Sequence, residues 1–267
     1  MNRYQILFNR LKIKKEACFI PFVTLGDPSL EISFQIINIL IDNGADALEL
    51  GIPFSDPVAD GITVQKANLR ALSSGITLKK CFTMLLKIRK YYPLLPIGLL
   101  TYANIVFNKG INNFYFDCFQ AGVDSILIAD MPIEESKIFY LSAIKNNIQS
   151  IFICPPNAND DLMSKLSKYS SGYTYLLSRP GVTGINQYKK KSLINLITKL
   201  KTYNVAPIIQ GFGISNIVEI KEAISSNVSG VICGSVIIKI IEENFHTLEI
   251  MFNKLKYLIN QLKCATK

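Results

Sequence analysis

The chain has 267 residues, of which 49% are hydrophobic, with a formal net charge of +9; this is enough apolar material for one large domain or two small ones. Its single histidine, His246, leaves no histidine cluster for zinc and only one poorly placed candidate for a Ser/His/Asp triad. The lysines are dispersed apart from Lys189-Lys190-Lys191 and accompany no nucleic-acid-binding motif, so the charge reads as compositional bias and no nucleic-acid partner is expected.

An opening amphipathic helix is predicted over 3–14, followed by eight β-like runs at 19–24, 47–52, 97–102, 125–130, 150–154, 173–178, 206–211 and 228–233. Each run is followed by a helical pattern, as at 30–43 and 78–91. That spacing fits repeated βα units with parallel strands. No linker or composition shift divides the set. The predicted architecture is therefore an α/β (β/α)8 TIM barrel with an extra N-terminal helix, forming a single domain over 1–267. An open doubly wound sheet is the alternative, but the early Gly-x-Gly-x-x-Gly turn of a nucleotide binder is absent. No apolar run reaches the roughly 18 residues of a membrane span, and 1–15 is too polar for a signal peptide. A cytoplasmic protein with no membrane partner is expected. The six cysteines show no metal-type spacing and read mostly as small core residues.

The stretch 47–61, ALELGIPFSDPVADG, is the most informative. Alternation sends Leu48, Leu50 and Ile52 to one face and Ala47, Glu49 and Gly51 to the other. A carboxylate at Glu49 is costly to desolvate and calls for a cationic partner, which the neighbouring sequence does not offer. The proline-rich segment that follows is neither helix nor central strand, and it delivers a second carboxylate, Asp60, to the same strand end.

In a barrel, functional groups gather where strands end. Two of the loops there are long: 53–61, and 179–191 with the sequence RPGVTGINQYKKK. The second has the length and the glycines of a lid. The last two strands end in Gly211-Phe212-Gly213 and Gly234-Ser235, each leading toward a helix. Glycine turns at those two barrel positions suit a phosphate, because backbone N–H groups approach closely and the helix dipole favours an anion. Gly184 could close the third side of that site.

The segments LELGIPFSDPVADG, GLLTYANIVFNKG, GVDSILIADMP, FICPPN, YTYLLSRPGVTG, QGFGIS and GSVIIKIIE together resemble the tryptophan synthase alpha chain family, in order and over nearly the whole length. The resemblance implies a barrel that cleaves indole-3-glycerol phosphate to indole and glyceraldehyde 3-phosphate. It implies no cofactor in this chain and a pyridoxal-phosphate beta chain as partner, in an assembly of two alpha and two beta chains. Glu49 matches the family's acid–base glutamate and Asp60 its second catalytic carboxylate, while Gly184, Gly213, Gly234 and Ser235 match the phosphate site. Phe22, Leu100, Tyr102, Leu127, Ala129, Ile153, Tyr175, Phe212 and Ile232 fall where the family lines its indole pocket, and Thr183 matches its lid threonine. Phe54, Asp56, Pro57, Asn104, Phe107, Asn108, Met131, Pro132 and Glu135 match the face toward the beta chain. A buried-core Phe107 is the competing reading of that residue. Pro180 departs from the expected lid sequence and biases Arg179 toward extended backbone.

Two carboxylates suit this chemistry. A desolvated Glu49 has a raised pKa, fit to deliver a proton to the indole ring and later remove one from the glycerol hydroxyl. Asp60, on a more exposed loop, is expected to stay ionised and accept the indole N–H as positive charge develops. A Schiff-base lysine is the alternative for an aldol-type cleavage, but no strand end presents one, and Lys109 sits in a loop. A Mg²⁺ held by Glu49, Asp56 and Asp60 is conceivable, although the resemblance implies no metal. Two further readings keep the family but alter the activity: a catalytically weak chain that activates its partner, and a stand-alone indole-releasing lyase.

Overall fold

The computed structural model describes residues 2–177 and 187–267, apart from the side chains of 187–191. Arg179, Pro180, Thr183 and Gly184 lie outside the described residues.

Helix α1 (Arg3–Lys14) opens with a capping box, in which the Asn2 side chain accepts from the Gln5 N–H and the Gln5 side chain accepts from the Asn2 N–H. Eight parallel strands follow: β1 (Cys18–Thr24), β2 (Leu48–Gly51), β3 (Ile97–Thr101), β4 (Ser125–Ile128), β5 (Gln149–Cys154), β6 (Thr174–Leu177), β7 (Ile208–Gly211) and β8 (Gly230–Cys233). Each pairs with the next, and β8 pairs with β1 from Cys18↔Gly230 to Pro21↔Cys233. That closure overturns the open-sheet alternative.

Around the barrel run α2 (Leu30–Asp42), α3 (Ile62–Ser73), α4 (Leu78–Tyr91), α5 (Ala103–Lys109), α6 (Ile111–Gln120), α7 (Lys137–Lys145), α8 (Asp160–Tyr169), α9 (Gln187–Thr202), α10 (Ile217–Ser225), α11 (Ser235–Asn244) and α12 (Leu248–Cys264), with a 3-10 turn at Ile133–Glu135. Strands β2, β3 and β8 are thus each followed by two helices. Helix α9 starts inside the loop predicted over 179–191, because glutamine and lysine are good helix formers and no glycine or proline interrupts them after Ile185.

Strand alternation divides the core as predicted. Leu48, Leu50 and Ile52 join the layer beneath the helices, whereas Ala47 packs inside the barrel with Phe22, Leu127, Ile151, Tyr175 and Ile232. Tyr4, Leu7 and Leu11 of α1 belong to that inner cluster and close the barrel's base. His246 is exposed in the turn between α11 and α12, at the end of the barrel away from the strand C-termini. Five cysteines are buried, Cys264 is exposed, and all six are free. Among the described residues no helix is long and apolar enough to cross a membrane.

Closure of the barrel depends on the approach of β1 to β8 at Gly230. A Cβ there would press into the Cys18 carbonyl oxygen and stand 2.6 Å from the Cys18 Cβ. Backbone cannot yield as a flexible side chain would. Gly230→Ala is expected to destabilise the chain by about 3 kcal/mol in urea unfolding. Unchanged stability would show that the β1–β8 seam opens at no cost.

Candidate active site

Strand β2 carries Glu49 between Phe22 on β1 and Gly98 on β3. Its side chain is 2% exposed. The partner anticipated for it is not a cation: the Tyr173 hydroxyl donates to Glu49 Oε1 at 3.0 Å. Burial pushes the carboxyl from 4.5 up to about 7, the Tyr173 hydrogen bond opposes that rise, and the charge of Asp60 adds to it. Tyr173 was missed at the sequence level, although it has the same strand parity as Tyr175 and so shares its inward face. It is held in turn by α1, whose Tyr4 packs edge-on at 5.6 Å and shares a 2.9 Å hydrogen bond with Ser125 Oγ.

Asp60 ends the loop that precedes α3 and is half-buried. Gln65 Nε2 donates to its backbone oxygen at 2.8 Å, and Asn68 Nδ2 stands 3.5 Å from its Oδ2. Burial raises its pKa as well, against the influence of Tyr102 and Asn68. Asp60, expected on a more exposed loop, is half-buried, and burial is the larger influence on its pKa. The Tyr102 hydroxyl favours the charged form of Asp60 but meets no partner in regular hydrogen-bond geometry.

Both carboxylates line one cavity of about 100 Å³, with Phe22, Leu100, Tyr175, Phe212, Ile232, Gly213, Gly234 and Ser235 from the predicted set and Gly61, Val64 and Ile214 besides. Leu127, Ala129 and Ile153 instead line a larger cleft of about 650 Å³ between the ends of β4 and β5, whose rim includes Met131 and Pro132. The predicted indole pocket is thus split between two spaces. The smaller is the better candidate for chemistry, because it holds both acids. Tyr102 is buried and stacks on Phe54 at 5.1 Å.

Gly234 and Ser235 of the cavity wall form the N-terminus of α11, where the cap makes no side-chain hydrogen bond, and a helix N-terminus is a natural place for an anion. A Cβ at Gly234 would lie 2.9 Å from Phe22 Cδ1, so glycine lets that ring close the cavity floor. Phe212 and Gly213 take φ values of 64° and 76°. A left-handed phenylalanine is uncommon and here supplies part of the cavity wall. Gly213 is not at a helix start as expected, because α10 begins at Ile217 under an Asn216 cap.

On the predicted partner face, Asp56, Asn104, Phe107, Asn108, Pro132 and Glu135 are exposed, while Phe54, Pro57 and Met131 are half-buried. Phe107 is 53% exposed, which excludes the buried-core reading. Lys109 pairs with Asp117 at 2.9 Å, away from the cavity. Among the described residues no three histidine, cysteine or acidic side chains gather as a metal site, and Glu49, Asp56 and Asp60 do not.

A family model described as tryptophan synthase alpha chain matches residues 8–267. The chain is 55% identical to the tryptophan synthase alpha chain of Escherichia coli (strain SMS-3-5 / SECEC), with all of both chains covered. It superposes on tryptophan synthase subunit alpha from Legionella pneumophila str. Paris with a TM-score of 0.91 and 28% identity, covering 100% of this chain and 98% of that one. A structure of the tryptophan synthase a2b2 complex from Pyrococcus furiosus gives a TM-score of 0.82 at 32% identity, over 92% and 98% of the two chains.

The raised pKa of Glu49 is also a statement about stability. The folded chain holds this proton more tightly than the unfolded one, so stability present below pH 4.5 is lost as pH rises through about 7. Glu49→Gln has no charge to desolvate and is expected to exceed the parent by about 3 kcal/mol near pH 8, and by little near pH 4. Tyr173→Phe removes a hydrogen bond to the charged form and should move the Glu49 titration upward, read by carboxyl ¹³C NMR. A downward or absent shift would remove Tyr173 from the control of Glu49.

Proposed function

The chain belongs to the tryptophan synthase alpha chain family, and on that premise we propose that it is the carbon–carbon lyase that cleaves indole-3-glycerol phosphate to indole and glyceraldehyde 3-phosphate in L-tryptophan biosynthesis. The observation that carries the reading is a buried carboxyl with a pKa near 7, facing a second carboxylate in a cavity whose far wall is a helix N-terminus.

Protonated Glu49 delivers a proton to C3 of the indole ring, and the resulting positive charge spreads to the ring nitrogen. Asp60 accepts the ring N–H and stabilises that charge. Loss of the glycerol hydroxyl proton to Glu49 then forms the aldehyde, while the electron pair of the breaking carbon–carbon bond returns to the ring. One proton enters and one leaves, so Glu49 ends in its starting state. The α11 N-terminus with Gly234 and Ser235 holds the phosphate, and Phe22, Leu100, Tyr175 and Ile232 hold the ring. No step needs a metal or a lysine adduct.

The expected partner is a pyridoxal-phosphate beta chain in a cytoplasmic assembly of two alpha and two beta chains. It receives the indole, and the cofactor takes no part in the steps above. The exposed Phe107 beside Asn104 and Asn108 supports that face as the docking surface. The adjoining loop carries Phe54 and leads into Asp60, so docking would order it and position the second carboxylate.

Indole release should rise strongly when a beta chain is added to the purified chain. It should fall at least about 100-fold in Glu49→Gln, and decline as pH rises above about 7 because Glu49 loses the proton it must donate. EDTA should leave it intact. Absence of release in both conditions, despite a demonstrable complex, would favour a non-catalytic activating subunit, whereas equal turnover with and without the partner would favour a stand-alone lyase.

A further inference from the structure

Asn68 lies on α3 and is 3% exposed. Nothing in the chemistry above uses it, yet its side chain makes three polar contacts. Oδ1 accepts the Phe54 N–H at 3.0 Å; Nδ2 donates to the Val64 carbonyl at 2.9 Å and stands 3.5 Å from Asp60 Oδ2. One carboxamide therefore joins the two ends of the loop: Phe54, on the face proposed for the partner, and Asp60, in the cavity. A second path runs beside it, since the Phe54 ring stacks on Tyr102 and the hydroxyl of Tyr102 borders Asp60.

The geometry is uneven in a telling way. The bond to Phe54 is of ordinary length, whereas the contact to Asp60 sits at the outer limit of a hydrogen bond, and the buried Tyr102 hydroxyl has no regular partner. Two donors thus surround Asp60 with neither bond fully formed. Phe54 touches both donors, through its N–H to Asn68 and its ring to Tyr102.

We propose that Asn68 is a positioning residue that couples Phe54, on the partner face, to the Asp60 carboxylate. The proposal rests on the lyase reading for its consequence but not for its geometry. Asp60 faces Glu49 from β2, Tyr102 from the end of β3 and Tyr175 from β6, all of them acids, and no cation among the described residues favours its charge. Asn68 and Tyr102 are the donors that do so. Removing the Asn68 donor must shift Asp60 toward its neutral form, and a carboxylate in the same place must shift it further.

The test uses Asn68→Ala and Asn68→Asp in the full chain, with two readouts. Asp60 is titrated by carboxyl ¹³C NMR in the free chain, and indole release is measured with and without a beta chain alongside the affinity for that chain. Asn68→Asp keeps the acceptor for the Phe54 N–H and the side-chain shape, so it reports even where Asn68→Ala folds poorly. The Asp60 midpoint should rise from parent to Asn68→Ala to Asn68→Asp, and stimulation by the partner should fall roughly tenfold with affinity for it held. An Asp60 midpoint unmoved in Asn68→Asp overturns the coupling, as does stimulation within about twofold of the parent. If the parent itself releases no indole, the lyase reading fails, and the titration alone still decides the role of Asn68.

Discussion

A carboxylate buried in a barrel, with no cation beside it among the described residues, sets the terms for the rest of the site. Among the described residues Glu49 has only the Tyr173 hydroxyl to favour its charge, so burial prevails and the proton is held to about pH 7. Tyr173 must then be placed with care, and the structure does this with a helix that lies outside the βα repeat. Tyr4 of α1 enters the base of the barrel, packs edge-on against Tyr173 and anchors its own hydroxyl on Ser125. The N-terminal helix is thereby part of the support of the Glu49 carboxyl, and its loss would loosen Glu49 as well as the base.

The base is organised by a device used twice. Asp46 precedes β2, accepts the Phe19 N–H of β1 at 2.9 Å and binds Lys263 at 2.7 Å. Asp124 precedes β4, accepts the Ile97 N–H of β3 at 2.8 Å and binds Arg89 and Arg3 at 2.7 and 2.8 Å. Each aspartate thus joins two adjacent strands and ties them to an outer helix, with α1 clamped by Arg3. Buried pairs of this kind add little net stability against apolar replacements, because desolvation offsets attraction; their value is in holding the strands in register.

This device was visible in the sequence as Gly44-Ala45-Asp46 and Gly122-Val123-Asp124, each just ahead of a strand. It was not read because a short Gly-x-Asp is common. The architecture was legible for a firmer reason: alternation in 47–52 and the eightfold recurrence of strand and helix are local properties of the chain. Glu49 was legible too, since a lone acid in an apolar strand has few explanations. Tyr173 and Asn68 were not. Their importance comes from contacts to residues 124 and 14 positions away, which no local pattern reports. The division of the apolar wall into two spaces was also hidden, because parity tells which face a side chain takes but not how far its neighbours fill the room in front of it.

The formal charge of +9 makes the composition of the cavity wall more informative. Among the described residues that line it there are two acids and no lysine or arginine. A cation there would bind a phosphate well, but it would also favour ionised Glu49 and strip the proton that the chemistry needs. A helix N-terminus answers both demands. Its N–H groups attract an anion at short range, and their field falls off within about one helical turn, so on the proposed lyase reading a phosphate would be held without a full positive charge in the cavity. A cavity wall of this composition, two acids and a helix N-terminus with no cation among the described lining residues, is compatible with an anion and a protonated carboxyl side by side.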